Sequence, residues 1–412
     1  MPTIVSTRIL PASAYGVARN TSTVGECSLS QRADHLLVTG NWYAAHSRDR
    51  GLTWVHADPF AHFPPAHGGF CCDQTTLYIP KARARVWLLQ YSRSGPSNTL
   101  RIAVQTGTNV AAPNWFWWDL VPGAIDPAWS DEWFDYNHAT WTDNFLYVSS
   151  NLFRGDTWTR CVIFRIPLRL LRSTATLTYE YFESTTHFSI RCLPGGTHTL
   201  HAVAHDSLAA LQCFSWPEAS ASVNTHTLSV TAWHEPPTYS APCPPNPGSG
   251  VRSNWLGRCD GRITGGWEHQ GVAGAVWSAG QQSLRPFPFV RCVRWDTTSG
   301  ALIDEPDIWH PDYAHAYPDT CANRQGVVGI ALFRGGGTLF PEHVVGHLGS
   351  GGTWSLLRTR AGTHGPDQDK WGDYLHLRLA EATGRRWSSA AFTLQGGSTR
   401  GHIEAHVSEF RV

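Results

Sequence analysis

One pattern recurs along the whole chain and limits what it can fold into. It is a small or glycine-bearing approach, a polar residue, an alternating apolar strand, a turn and a second apolar strand. The first copy is Gly25-Glu26-Cys27-Ser28-Leu29, followed by 36–40. The second is Cys71-Cys72-Asp73-Gln74 with 86–90, and the third is Trp133-Phe134-Asp135-Tyr136 with 145–148. A weaker fourth is Ser189-Ile190-Arg191-Cys192 with 198–203. Arg258-Cys259-Asp260-Gly261 with 273–277 is the fifth, and Thr320-Cys321-Ala322-Asn323 with 327–331 the sixth. Trp371-Gly372-Asp373-Tyr374 with 387–392 completes the set. The spacing, about 58 residues per unit from Glu26 to Asp373, suits four-stranded propeller blades with long loops. The expectation is an all-β chain forming one domain over residues 1–412. Its architecture is a single propeller of seven blades, each of four antiparallel strands. Six blades, or a pair of β-sandwiches, are the alternatives. The alternating run 402–407 reads as the last outer strand, and the Pro/Gly/Ser-rich stretch 242–250 as a long loop within one unit.

Composition agrees. Only 16% of residues are charged, while Trp (20), Gly (38) and Pro (26) are plentiful, a mixture suited to short strands and turns. The 32 basic and 32 acidic residues cancel, so neither a nucleic-acid nor a membrane-surface partner is expected from charge. No apolar run reaches the roughly 20 residues that span a bilayer. The N-terminus, Met-Pro-Thr-Ile-Val, shows no signal peptide. Ten cysteines without a C-x-x-C pair lean toward disulfides in an extracellular or periplasmic setting; buried thiols in a cytoplasmic protein are the alternative. Cys71 and Cys72 are neighbours, and a bond between them would close a strained eight-membered ring, a candidate vicinal disulfide.

In a propeller the innermost strand of each blade lines the axis. Aligning the units brings Glu26, Asp73, Asp135, Arg191, Asp260, Asn323 and Asp373 to one mouth. Such a ring of carboxylates must be paired, protonated or bridged by a cation. Three readings stay open: clasps between blades, a Ca²⁺ or Mg²⁺ site formed by Glu26, Asp73, Asp135, Asp260 and Asp373, or catalytic carboxylates. Tyr136, His138 and Tyr374 fall beside the same mouth. Trp133, Trp267 and Trp371 offer flat faces of the kind sugar rings stack on. Arg258, Arg262 and Arg324, with Arg191, offer forks for a carboxylate.

The stretch Ser47-Arg48-Asp49-Arg50-Gly51-Leu52-Thr53-Trp54 has the form S-x-D-x-G-x-T-W, in which Asp49 accepts backbone bonds, Gly51 turns and Trp54 pins the corner. It resembles the Asp-box (BNR repeat) of sialidase-like β-propellers. Phe-Cys-Cys-Asp-Gln at 70–74 and Trp-Gly-Asp-Tyr at 371–374 resemble blade openings of bacterial members of that superfamily. The resemblance covers essentially the entire chain. It implies a propeller, and for function an exo-sialidase, another glycosidase, a polysaccharide lyase or a non-catalytic binder. Phe164-Arg165-Ile166-Pro167 echoes a sialidase motif but follows the third unit, so it reads as an outer strand.

Two functions are therefore expected to compete. One is a carbohydrate-active enzyme taking a glycan at the axial mouth. Its acid/base pair would come from Asp73, Asp135, Asp260 and Asp373. A lyase variant would use Tyr136 or His138 as base, with Arg262 or Arg324 on the uronate. The other is a non-catalytic glycan- or protein-binding propeller. A small-molecule or glycan partner and a monomer are expected in either case.

Overall fold

The computed structural model describes residues 1–66, 68–107, 114–380 and 384–412. Seven sheets of four antiparallel strands stand around one axis. Blade I comprises Ser28–Arg32, His35–Gly40, Tyr43–Ser47 and Val55–His56. The innermost strands of blades II to VII are Phe70–Ile79, Trp133–Trp141, Arg191–Cys192, Ile263–His269, Ala314–Ala322 and His376–Leu379. In all seven blades the second apolar run of the repeat is the second strand. The all-β propeller of seven blades follows, and the six-bladed and sandwich alternatives fall away.

Blade VII joins the two ends of the chain. Its third strand, Ile403–Arg411, is not the outermost; Thr3–Ile9 pairs outside it, from Thr3 opposite Arg411 to Ile9 opposite His406. The expected outer strand at 402–407 is thus a third strand. An unpaired edge there is covered by the chain's own beginning. The Phe164–Pro167 stretch is likewise in a third strand, Thr157–Pro167, inside Glu180–Ser184.

Alternation turns one face of each sheet toward the next, and apolar side chains fill the gaps. Leu37 and Trp87 pack between blades I and II, Val86 and Phe134 between II and III, and Tyr147 and Trp216 between III and IV. Val203 and Trp277, Trp267 and Ile330, then Phe333 and Trp387 continue round the ring. The Ser47–Trp54 corner closes as its residue types dictate. Asp49 Oδ1 accepts from the Thr53 N–H and the Ser47 hydroxyl, both at 2.8 Å; the Gly51 N–H donates to Ser47 Oγ, and Trp54 Nε1–H to the Gly51 carbonyl. Gly51 sits at φ +81, which no side chain favours.

The loop 230–262, far longer than 242–250 alone suggests, folds back over the axis. It buries Tyr239, Cys243 and Trp255 against Trp371 and carries Arg258, Cys259, Asp260 and Arg262 to one end of the channel.

Burial also sets how the fold responds to acid. His315, His343, His376 and His406 are all 2% exposed or less. Desolvation pushes His315 and His406 down to about 3 and holds His343 and His376 well below the usual imidazole value. Below about pH 6.5 the unfolded chain takes up protons that these rings refuse, so their share of stability is full above that pH and is lost as pH falls. The raised axial acids Glu26, Asp73 and Asp135 act oppositely between about pH 4 and 7 and blunt the slope. The expected urea midpoint falls from pH 6.5 to 4.5, and His406→Gln makes that fall shallower. An identical slope in the variant would refute the assignment.

Candidate functional site

Toward one end of the axis four of the seven innermost segments carry a residue in the left-handed region: Glu26 (φ 46) and Ser189 (φ 55) just before their strands, Tyr136 (φ 58) and Tyr317 (φ 55) at bulges within theirs. Non-glycine residues held there are costly and cluster where a surrounding structure needs a particular side-chain direction. Around these heads gather Glu26, Asp73, Asp135, Asp260 and Asp373, from blades I, II, III and VII and from the loop 230–262.

Glu26 is 1% exposed and hydrogen-bonded to Asp73, with its Oε2 otherwise unpartnered among the described residues. Burial, then the charges of Asp73 and Asp373, raise Glu26 well above the carboxylate range. Asp73 is pushed up to about 7, by burial first and the Asp135 charge second. Two acids in contact titrate together, and the more buried Glu26 is the last of the pair to give up its proton. Asp135 is also raised by burial, offset by the Gln90 amide, which donates to its Oδ1 at 2.9 Å.

Facing them are two arginines from the loop. Arg258 donates twice to Asp373, Nε to Oδ1 at 2.7 Å and Nη2 to Oδ2 at 3.0 Å. Arg262 forks onto Asp260, 2.7 Å from Nε to Oδ2, lies 3.9 Å from Asp373, and covers the Tyr136 ring at 4.1 Å. The Tyr136 hydroxyl is buried and unpartnered among the described residues. Burial pushes the phenols of Tyr136 and Tyr374 upward. Tyr136, His138 and Tyr374 stack edge to face across the axis, Tyr136 to His138 at 4.2 Å and Tyr136 to Tyr374 at 6.0 Å.

Several expected members belong elsewhere. Asn323 is the sixth residue beyond Tyr317, about 20 Å farther along the strand, and caps a turn at the opposite end through Gln325 and Val327. Arg324 goes with it and lies far from the acids. Arg191 is two residues past Ser189, so it sits in mid-channel, bonded to His138 at 2.8 Å and to Asp319 at 3.1 Å. His138 lines that deeper part too. Trp267 and Trp371 are 1% and 0% exposed; Trp371 lies flat on Phe392 at 4.4 Å, so neither offers a face to a sugar. Trp133 is half-buried, stacked on Phe153 and under the Arg93 guanidinium. Among the described residues no group of three or more His, Cys, Asp or Glu side chains is placed to hold a metal ion. The five acids pair with one another or with arginine and amide donors instead, so the structure lends the Ca²⁺ or Mg²⁺ reading no support.

Asp319 and Arg378 are not among the expected site residues. Asp319 is 1% exposed and takes Arg191 on one oxygen; its other oxygen meets the Leu377 N–H at 2.8 Å and Arg378 at 3.4 Å. A signal existed: 316–319, Ala-Tyr-Pro-Asp, parallels Asp-Tyr-Asn-His at 135–138, and both segments bulge there.

Cys71 and Cys72 are bonded to each other, in the irregular stretch between Phe70 and Gln74 and directly before Asp73. The other eight cysteines are free thiols, all buried except half-buried Cys321. A ring closed across the peptide that precedes Asp73 restricts where that carboxylate points. Reduction, or Cys72→Ser, is expected to lower any turnover at the mouth by up to about 100-fold through misplacement. The denaturation midpoint should barely move. Full activity in the variant would remove the disulfide from the site.

No protein-family model and no curated protein matches the chain. Among solved structures it is similar to Penicillium chrysogenum alpha-L-arabinanase complexed with arabinobiose, at 12% identity over 99% of this chain and 98% of that one, TM-score 0.43. It is also similar to Trypanosoma rangeli sialidase with the inhibitor DANA, at 9% identity over 76% and 53%, TM-score 0.44. A third is a fungal alcohol oxidase of the AA5 family in complex with copper, at 9% identity over 100% and 76%, TM-score 0.48. These proteins differ in chemistry, and likeness at such identity is one of fold alone. Among the described residues no helix is long and apolar enough to cross a membrane.

Proposed function

We propose that the acidic mouth cleaves a glycosidic bond. The observation that supports this reading most is the unequal treatment of neighbouring carboxylates. Burial and the Asp135 charge push Asp73 up to about 7 beside Glu26, while Asp135, bonded to Gln90 through Oδ1, carries among the described residues no arginine fork of the kind Arg258 places on Asp373. Glycoside hydrolysis needs such a pair: a proton donor for the leaving oxygen and a second carboxylate to act as base or nucleophile. Asp73 is assigned the first role and Asp135 the second. Arg258 and Arg262, rooted by Asp373 and Asp260, would meet acidic or hydroxyl groups of the glycan. The Tyr136 hydroxyl, left unpartnered, would take a further sugar oxygen. A lyase role for Tyr136 fits less well, since a phenol pushed upward by burial is a poor base at neutral pH.

The competing reading, a glycan-binding propeller without turnover, draws on Asp260 and Asp373 both being engaged by arginines. A panel of plant, fungal and bacterial glycans, assayed for new reducing ends and for unsaturated ends, separates the two. Reducing ends that disappear in Asp73→Asn support hydrolysis. Binding without products supports the lectin-like alternative. An extracellular or periplasmic setting belongs to the same proposal, because the Cys71–Cys72 bond is best kept where thiols are oxidised.

A further inference from the structure

The opposite end of the axis carries an opening of contrary charge. Past the Tyr136, His138 and Tyr374 rings the channel widens into a cavity of about 250 Å³. Arg191, Arg324 and Arg378 line it. Two acids lie nearby: Asp319, already shared by Arg191 and Arg378, and Asp143, ion-paired with Lys81. Arg324 is exposed and has no ion-pair partner among the described residues.

The buried end of this cavity holds donors without acceptors. Arg191 Nη1 approaches His138 Nδ1 at 2.8 Å, and a guanidinium can only donate. Nδ1 is therefore the acceptor, and the imidazole proton resides on Nε2. That N–H has no partner among the described residues, although His138 is only 5% exposed; neither has Arg191 Nε, on a residue equally buried. Buried donors are ordinarily satisfied, so a pair left open beside a cavity marks the place of a missing acceptor. Burial and the Arg191 charge hold His138 well below the usual imidazole value, which keeps it a neutral donor.

We propose that this cavity binds a small organic carboxylate of single-sugar size, at a site separate from the acidic mouth. Arginine forks match a planar carboxylate in two bonds, which a lysine-lined pocket would not do. The volume lies just below the roughly 300–1,000 Å³ of drug-sized ligand pockets, so one ring fits and a chain does not. Pro194, Leu379 and Ala380 supply apolar wall for a ring face, and Gly195 and Gly196 leave room at the rim. The inference goes beyond the proposed cleavage and survives its failure.

D-Glucuronate is the probe, with its neutral methyl ester as the control of equal shape. Calorimetry and thermal shift on the full chain should show glucuronate binding about tenfold or more tightly than the ester. Arg324→Gln, a substitution at an exposed position, should remove most of that preference, and Arg378→Gln all of it. Asp73→Asn should leave it unchanged, even if that variant abolishes turnover or no turnover exists. Equal affinity for acid and ester, or no binding of either, would overturn the assignment. So would Arg258→Gln weakening glucuronate as much as Arg324→Gln, since the acid would then reside in the other mouth.

Discussion

Asp73→Asn is expected to lower turnover by about 100- to 10,000-fold, the usual contribution of a positioned general acid or base. The side chain keeps its size and its place after the Cys71–Cys72 ring, so the loss reports the proton and not the fold. A second signature accompanies it. With the acid lifted to about 7, kcat/KM should decline above that pH as Asp73 loses its proton. That alkaline limb should vanish in the residual activity of the variant. Glu26→Gln should leave the limb nearly in place, because protonated Glu26 acts on Asp73 as a hydrogen-bond donor and the amide keeps a donor there. Undiminished rates in Asp73→Asn, on a substrate the wild type cleaves, would refute the assignment of the proton donor.

Asp319→Ala should destabilise the protein by about 3–5 kcal/mol, the cost of removing one partner from a buried ionic cluster. Arg191 and Arg378 both lean on this carboxylate, and the Leu377 N–H would be left buried without its acceptor. Asp319→Asn should cost less, since the amide oxygen still serves Leu377. Urea unfolding of the two variants gives the comparison. A loss below about 1 kcal/mol for the alanine variant would mean that water or the arginines' other partners replace the carboxylate.

The seven-fold repeat is legible in the sequence because each sheet must alternate and each turn must bend, and both demands leave a residue pattern. The second strand of every blade keeps it, since it is flanked by sheet on both sides. The approach residues are harder to read. Blade IV has an innermost strand of only two residues, so little alternation places Arg191 two positions deeper than its counterparts. In blade VI the segment Cys321-Ala322-Asn323 imitates an opening, though it ends the strand; the true head is Tyr317, and the error hid Asp319. Nothing local distinguishes Trp267 and Trp371 from tryptophans that offer a face. Their burial depends on Gly274, where a side chain would strike the Trp267 ring, and on Phe392, which arrives from another strand of blade VII. Arg258 and Arg262 reach the acids only because the loop 230–262 folds inward, a path its Pro, Gly and Ser content does not encode. The acids at Glu26, Asp73, Asp135 and Asp373 were legible, and their individual roles were not, because protonation is set by neighbours from other blades.

The pairing of Thr3–Ile9 with Ile403–Arg411 makes the wheel's fastening an affair of timing. Six sheets can assemble while the polypeptide is still emerging from the ribosome. The seventh is completed only when residues some 400 positions apart find each other, and contacts of such separation form late. Until they do, the seventh sheet lacks its outermost strand, and Ile403–Arg411 presents a bare edge on which a neighbouring chain could pair.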